Sequence, residues 1–157
     1  MIEIPKPGQE SVWDYPRPPR VDPSGERVRV VLGDTVLADT RAALRVTETS
    51  HPPVYYIPVS DIDMTRLRQT RDASWCEFKG TAAYWDADGA PAVGWSYPNP
   101  APGFEALGEH IAFYPGRVDE ATVDGEKGKP QEGVFYGGWI TSRIVGPFKG
   151  ATGSRGW

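Results

Sequence analysis

The sequence predicts an all-β, mainly antiparallel fold, and three observations carry that expectation. Sixteen prolines and eighteen glycines in 157 residues break up long helices and favour short strands joined by tight turns. Valine, tyrosine and tryptophan fill the segments between these breakers, often with a period of two. No strand and long-helix alternation of the parallel kind is visible. The length sits near the commonest size for one domain. Residues 1–157 are therefore expected to form a single domain, with its core over about 20–150, an N-terminal strap and a C-terminal tail.

The elements follow in order. Val12-Trp-Asp-Tyr-Pro-Arg-Pro-Pro-Arg20 has too many prolines for a central strand and too many aromatics for a free tail, so it reads as a strap. Arg27 to Asp39 holds two alternating segments around Gly33-Asp34, a hairpin. Leu44 to Thr49 alternates again, placing Leu44 and Val46 on one face. His51-Pro52-Pro53 makes a stiff bend. Val54 to Ile57 extends, and Pro58 to Arg71 reads as a polar connection with one short helix through Met64 and Leu67.

Trp75 to Trp85 reads as the strongest strand. Its period of two puts Trp75, Glu77, Lys79 and Trp85 on one face, and Cys76, Phe78, Ala82 and Tyr84 on the other, unless Gly80 marks a bulge that flips the register. Val93 to Tyr97 is the next strand, Phe104 to Glu109 one helical turn, and Ile111 to Tyr114 a further strand. Asp124-Gly125 signals a hairpin, Phe135 to Ile140 a last strand, and Gly146 to Trp157 a loose or docked tail.

A formal net charge of -4 with acids and bases scattered along the chain argues against a nucleic-acid partner, which would concentrate Lys and Arg on one face. The lone Cys76 cannot form an internal disulfide, Met1 to Gln9 lacks the apolar core of an export signal, and no apolar run is long enough to span a bilayer. Together these predict a cytoplasmic protein with no membrane partner. Its oligomeric state is not legible.

Four of the six tryptophans fall between Trp75 and Trp139, interleaved with Tyr84, Tyr97, Tyr114 and other rings. Such a density fits a walled pocket for a flat ligand. Glu77 and Lys79, two apart beside Trp75 and Trp85, are the best polar constellation: a general base with its partner, a pair that orients a ligand, or a solvated ion pair. His51, at its proline-fixed bend, is the candidate proton-transfer residue, or else a turn histidine bonded to backbone. Trp95 and Tyr97 share one strand face. Cys76 reads as a small hydrophobe rather than a nucleophile. No ligand pair has zinc spacing, so neither a metal nor a cofactor is expected. The Gly-rich stretches Tyr136-Gly-Gly-Trp139 and Gly146 to Gly150 match no phosphate-binding fingerprint, though an anion nest near Lys149 stays open.

Read in order, Val12-Trp-Asp-Tyr-Pro-Arg-Pro-Pro-Arg, Thr49-Ser-His-Pro-Pro-Val-Tyr-Tyr-Ile-Pro, Trp75-Cys-Glu-Phe-Lys-Gly, Trp95-Ser-Tyr-Pro, Phe113-Tyr-Pro-Gly and Gly137-Gly-Trp resemble the family catalogued as domain of unknown function 427. The resemblance implies a beta-tent, two antiparallel sheets meeting at an angle with one or two short helices, an architecture shared with the ligand-binding domain of cereblon. Many beta-tent relatives hold zinc with two Cys pairs, which this chain lacks, so a metal-free version is implied. The cereblon-type domain grips a flat cyclic imide in three tryptophans. By analogy Trp75, Trp85, Trp95 and Trp139 are cage candidates here.

The leading expectation is a small-molecule-binding domain holding a planar or heterocyclic metabolite, a cyclic amide or nucleotide-like compound. Its pocket would draw on Trp75, Trp85, Trp95, Tyr97, Tyr114 and Trp139. The alternatives are a transferase or hydrolase using Glu77, Lys79 and His51, in keeping with the nucleotidyltransferase-like label the family has carried, and a protein-interaction module. Whether a reaction is catalysed is left open.

Overall fold

Strands form where apolar and polar residues alternate between Gly- and Pro-marked turns. The computed structural model describes residues 1–157. In chain order the strands are β1 (Glu10–Ser11), β2 (Arg20–Pro23), β3 (Val28–Leu32), β4 (Thr35–Thr40), β5 (Leu44–Thr47), β6 (Val54–Pro58), β7 (Leu67–Cys76) and β8 (Gly80–Ala87). They continue as β9 (Ala90–Ser96), β10 (His110–Phe113), β11 (Glu120–Val123), β12 (Glu126–Lys127), β13 (Lys129–Pro130), β14 (Trp139–Ile140) and β15 (Ile144–Val145). The fold is all-β, as the composition predicts.

Two antiparallel sheets dominate. One has seven strands in the order β2-β5-β6-β10-β9-β8-β7, and the other four in the order β12-β11-β3-β4. The Gly33-Asp34 and Asp124-Gly125 turns close their hairpins with Leu32 opposite Thr35 and Val123 opposite Glu126. Between the sheets lies the larger core. Val28, Val30, Leu37, Ala121 and Val123 from the smaller sheet meet Tyr55, Ile57, Ile111 and Phe113 from the larger one. Alternation sends the neighbours of these residues the other way: Tyr56, Ala112 and Tyr114 join Val46, Ala82, Trp95 and Tyr97 in a second cluster. The two faces of the seven-stranded sheet therefore carry separate apolar clusters.

The strap docks. Val12, Tyr15 and Ile144 form a small third cluster, β1 pairs in parallel with β15, and the Trp13 indole N–H donates to the Pro147 carbonyl at 2.9 Å. The tail docks as well, since the Lys149 amide donates to the Ser50 carbonyl at 2.7 Å. The only helices are single 3-10 turns, among them Met64–Arg66, capped by the Asp63 side chain, and Glu105–Leu107. No helix is long and apolar enough to cross a membrane.

Three expectations need correction. Trp75 to Trp85 is a hairpin rather than one strand: Glu77–Lys79 form its turn, Cys76 pairs with Gly80, and Gly80 takes the positive φ of 107° that closes the loop. The polar stretch Leu67 to Arg71 is strand, because β7 is an edge of its sheet and tolerates charge on exposed positions. Phe135 and Tyr136 lie in a loop, and only Trp139–Ile140 of the expected last strand is paired.

Candidate functional site

On the face of the seven-stranded sheet turned away from the smaller sheet lies a partly open hollow of about 210 Å³. Its floor is built by strand alternation, which brings Tyr56, Tyr84, Trp95 and Tyr97 to one side, joined by Tyr114 just past β10. Register fixes their adjacency, with Tyr84 opposite Trp95 and Trp95 opposite Ala112. Trp75, Phe135 and Tyr136 supply upper walls. Tyr56, Tyr84, Tyr97, Tyr114 and Tyr136 are five of the chain's seven tyrosines, so the site is richer in phenols than in indoles.

The rings are held by one another. Trp95 and Tyr114 lie 4.5 Å apart between centroids at 44°, and Trp95 meets Tyr56 edge-on at 6.1 Å. The Trp95 indole N–H donates to the Tyr56 hydroxyl at 3.3 Å, and the Ser74 and Tyr84 hydroxyls share a 2.7 Å hydrogen bond. The Arg117 guanidinium caps Tyr114 from 3.9 Å, and its N–H groups donate to the carbonyls of Ala92 and Val134. Burial pushes the Tyr56 and Tyr97 phenols well above the usual range and the Tyr114 phenol up to about 12. At neutral pH these groups are uncharged hydroxyls, suited to orienting a ligand rather than to taking its proton.

Gly137 explains how the far wall closes. A Cβ there would run into the Trp95 ring, so only glycine lets the loop lie flat on the indole. Gln131 anchors the same loop, accepting from the Gly138 amide at 3.1 Å and donating to the Lys149 carbonyl at 2.6 Å. The Gly-Gly pair thus serves close packing. The Lys149 ammonium is taken up by the carbonyls of Ser154 and Arg155, each at 2.8 Å, which fastens the tail instead of leaving a cation for an anion nest.

At the rim, His51 stands edge-on to Tyr136 at 5.7 Å and its Nδ1 lies 2.9 Å from the Thr49 carbonyl. A carbonyl can only accept, so Nδ1 carries the proton and Nε2 is left as an acceptor. Burial lowers the pKa of His51, and the Glu48 carboxylate, 4.0 Å away, opposes that shift. Glu48 is itself paired with Arg17 at 3.4 Å. Lys79 is buried in the wall, set there by the hairpin turn, whose Lys79 carbonyl accepts from the Ala101 amide at 2.8 Å.

Six of the nine residues singled out from sequence line the hollow: His51, Trp75, Lys79, Trp95, Tyr97 and Tyr114. Three do not. Glu77 is exposed on the hairpin turn, so it does not share a strand face with Lys79 and does not join Lys79 and His51 at the cavity. Trp85 faces the other way, packing against the inter-sheet core with its indole N–H on the Ser96 hydroxyl at 3.0 Å. Trp139 is 1 % exposed, lies in the inter-sheet core and donates to the Phe113 carbonyl at 3.0 Å. Sequence reasoning passed over Tyr56, Ser74, Gln131 and Tyr136; it set Cys76, Phe78, Ala82 and Tyr84 on one packed face, and they do share a cluster, in which Cys76, Ala82 and Tyr84 also line the hollow. The alternation of Val54 to Ile57 was the signal for Tyr56; nothing local marks Gln131.

Fold and site together define an all-β protein with an aromatic hollow on the uncovered face of its larger sheet. The family described as domain of unknown function (DUF427) matches residues 20–124, and the chain belongs to it. No curated protein matches the chain. The matched span holds the hairpin that sets Lys79 and Trp75, while the loop carrying Phe135 to Gly137 lies beyond it.

Proposed function

We propose that the protein binds a planar or heterocyclic small molecule, of cyclic-amide or nucleotide-like type, in this hollow. The observation that supports it most is that one face of the larger sheet is concave and ring-lined where the other is sealed by a second sheet. Stacking on Trp95 and the tyrosines would supply area, and neutral hydroxyls with the free Nε2 of His51 would supply direction. A reducing cytoplasm suits the single free cysteine.

The test is a thermal-shift and tryptophan-fluorescence screen with cyclic amides, nucleobases and nucleotides. A binder is expected to raise Tm and quench fluorescence, and the response is expected to vanish in the Trp75→Ala, Tyr136→Ala double variant. A screen without a single shift, or a shift indifferent to those changes, counts against the proposal. A second reading, a protein-interaction module, draws on the exposed apolar rim of Trp75, Val134 and Phe135, which are 72 %, 88 % and 66 % exposed. It differs in outcome, because a partner resting on that rim would leave the emission of deep-lying Trp95 unchanged. A transferase or hydrolase reading would have to take its general base from a residue other than Glu77.

A further inference from the structure

Lys79 is the one Lys or Arg among the lining residues, and it is 9 % exposed. Its ammonium has three donors. What it finds is the Cys76 sulfur at 3.8 Å and the face of the Tyr97 ring at 5.9 Å. No ion pair in the molecule includes it. The other charge at the cavity, Glu48, already has Arg17 beside it. The hollow thus holds one uncompensated positive charge in an aromatic wall. A buried charge without a partner destabilises a fold, and apolar replacements of comparable size would relieve it. A group kept at such a cost is the mark of a site that gains its partner from outside.

Resting on the reading that the hollow binds a planar small molecule, and turning it from nucleotide-like and simple amide ligands to an acid, we infer that the ligand is a planar ring bearing a single carboxylate, which lies against Lys79 while the ring stacks on the aromatic floor. One ammonium balances one negative charge. A phosphate, with two charges and more acceptor oxygens, is ordinarily met by an Arg fork, several cations or a helix N-terminus, and the lining offers none of these. The Tyr97 and Tyr84 hydroxyls line the same hollow, and with Ser74 donating to it the Tyr84 hydroxyl can turn its own proton to the second carboxylate oxygen.

The experiment uses matched probes: benzoate, benzamide and phenyl phosphate, then the same three on a naphthyl ring, titrated into the full chain by tryptophan fluorescence. The carboxylate is expected to bind roughly tenfold or more tightly than its amide, the size of a charge-assisted hydrogen bond, and at least as well as the phosphate. Lys79→Met is expected to bring the acid down to the affinity of the amide, and Lys127→Met, at an exposed lysine outside the hollow, to preserve the preference. Without ligand, Lys79→Met should raise Tm by roughly 2–5 °C. Equal binding of acid and amide, or a preference that survives Lys79→Met, overturns the carboxylate inference and leaves the pocket reading standing. A fall in Tm for Lys79→Met also overturns it, by showing the ammonium to be compensated within the fold. Preference for the phosphate overturns the assignment of charge. If no member of either set binds, the pocket reading falls with it.

Discussion

The two faces of the seven-stranded sheet are made of the same strands and differ in what covers them. Toward the smaller sheet, Ile57, Ile111, Phe113 and Trp139 are 0–1 % exposed and interlock with Val28, Val30 and Leu37. Toward the hollow, Tyr56, Trp95, Tyr97 and Tyr114 meet loops from residues 104–107 and 131–137 instead of a sheet. The sealed face has three rings among its fifteen buried core residues, whereas the open face has five among nine. Aliphatic side chains can be satisfied only by burial, whereas amphipathic rings tolerate a wet cavity because each carries a polar end. Composition on alternate positions of one strand thus separates a sealed, stabilising surface from an open, ring-lined one.

Substitutions on the sealed face should show the largest effects. Trp139→Ala removes a buried indole and the hydrogen bond to Phe113, and is expected to cost about 3–5 kcal/mol, read as a fall in urea midpoint at unchanged slope. A cost under about 1 kcal/mol would erase the distinction between the faces. Next comes Gly137→Ala, which drives a methyl group into Trp95 and should cost about 1–3 kcal/mol together with a shift in tryptophan emission. An unchanged spectrum would mean that the loop does not rest on the indole.

Mild acidification probes the rim. His51 has a lowered pKa in the fold from an ordinary 6.5, so the unfolded chain takes up its proton first as pH falls. Stability associated with His51 is full above about 6.5 and drains as pH drops through the lower folded value. The carboxylates Glu10, Asp39, Asp124 and Glu126, hydrogen-bonded by Arg45, by Arg27, by the Arg27 amide and by Ser142, are also lowered, but they act further down, below the ordinary 3.8–4.5 of their kind. Urea midpoints between pH 6.5 and 5 should therefore decline in the native chain and flatten in His51→Gln; the same slope in both would exclude a half-buried rim histidine with a lowered pKa. Smallest is Trp75→Ala. At 72 % exposure its loss should move stability by no more than about 0.5 kcal/mol, and a larger change would make the open face a packing surface too.

Much of this division was legible in the chain. Turn chemistry exposed the Gly33-Asp34 and Asp124-Gly125 hairpins, and alternation correctly set Leu44 with Val46 and Trp95 with Tyr97. The hairpin inside Trp75 to Trp85 was hidden because Glu77, Phe78 and Lys79 are not turn formers and the two-residue period runs through them unbroken. That one misplaced turn sent Trp85 to the wrong face and joined Glu77 to Lys79. Trp139 misled for another reason: whether an indole walls a cavity or fills a core depends on which sheet lies opposite, and sequence separation says nothing of that. The same holds for Gln131, brought to the site by a loop whose only local signature is its glycines.

Ser50 lies between the two chain ends, its amide on the Val12 carbonyl at 3.0 Å and its carbonyl on the Lys149 amide at 2.7 Å. The next residue is His51 at the cavity rim. Head and tail are thus tied to the residue beside the cavity rim, so trimming either extremity, or burdening it with a fused tag, would be felt as a loosened rim before any loss of the sheets themselves.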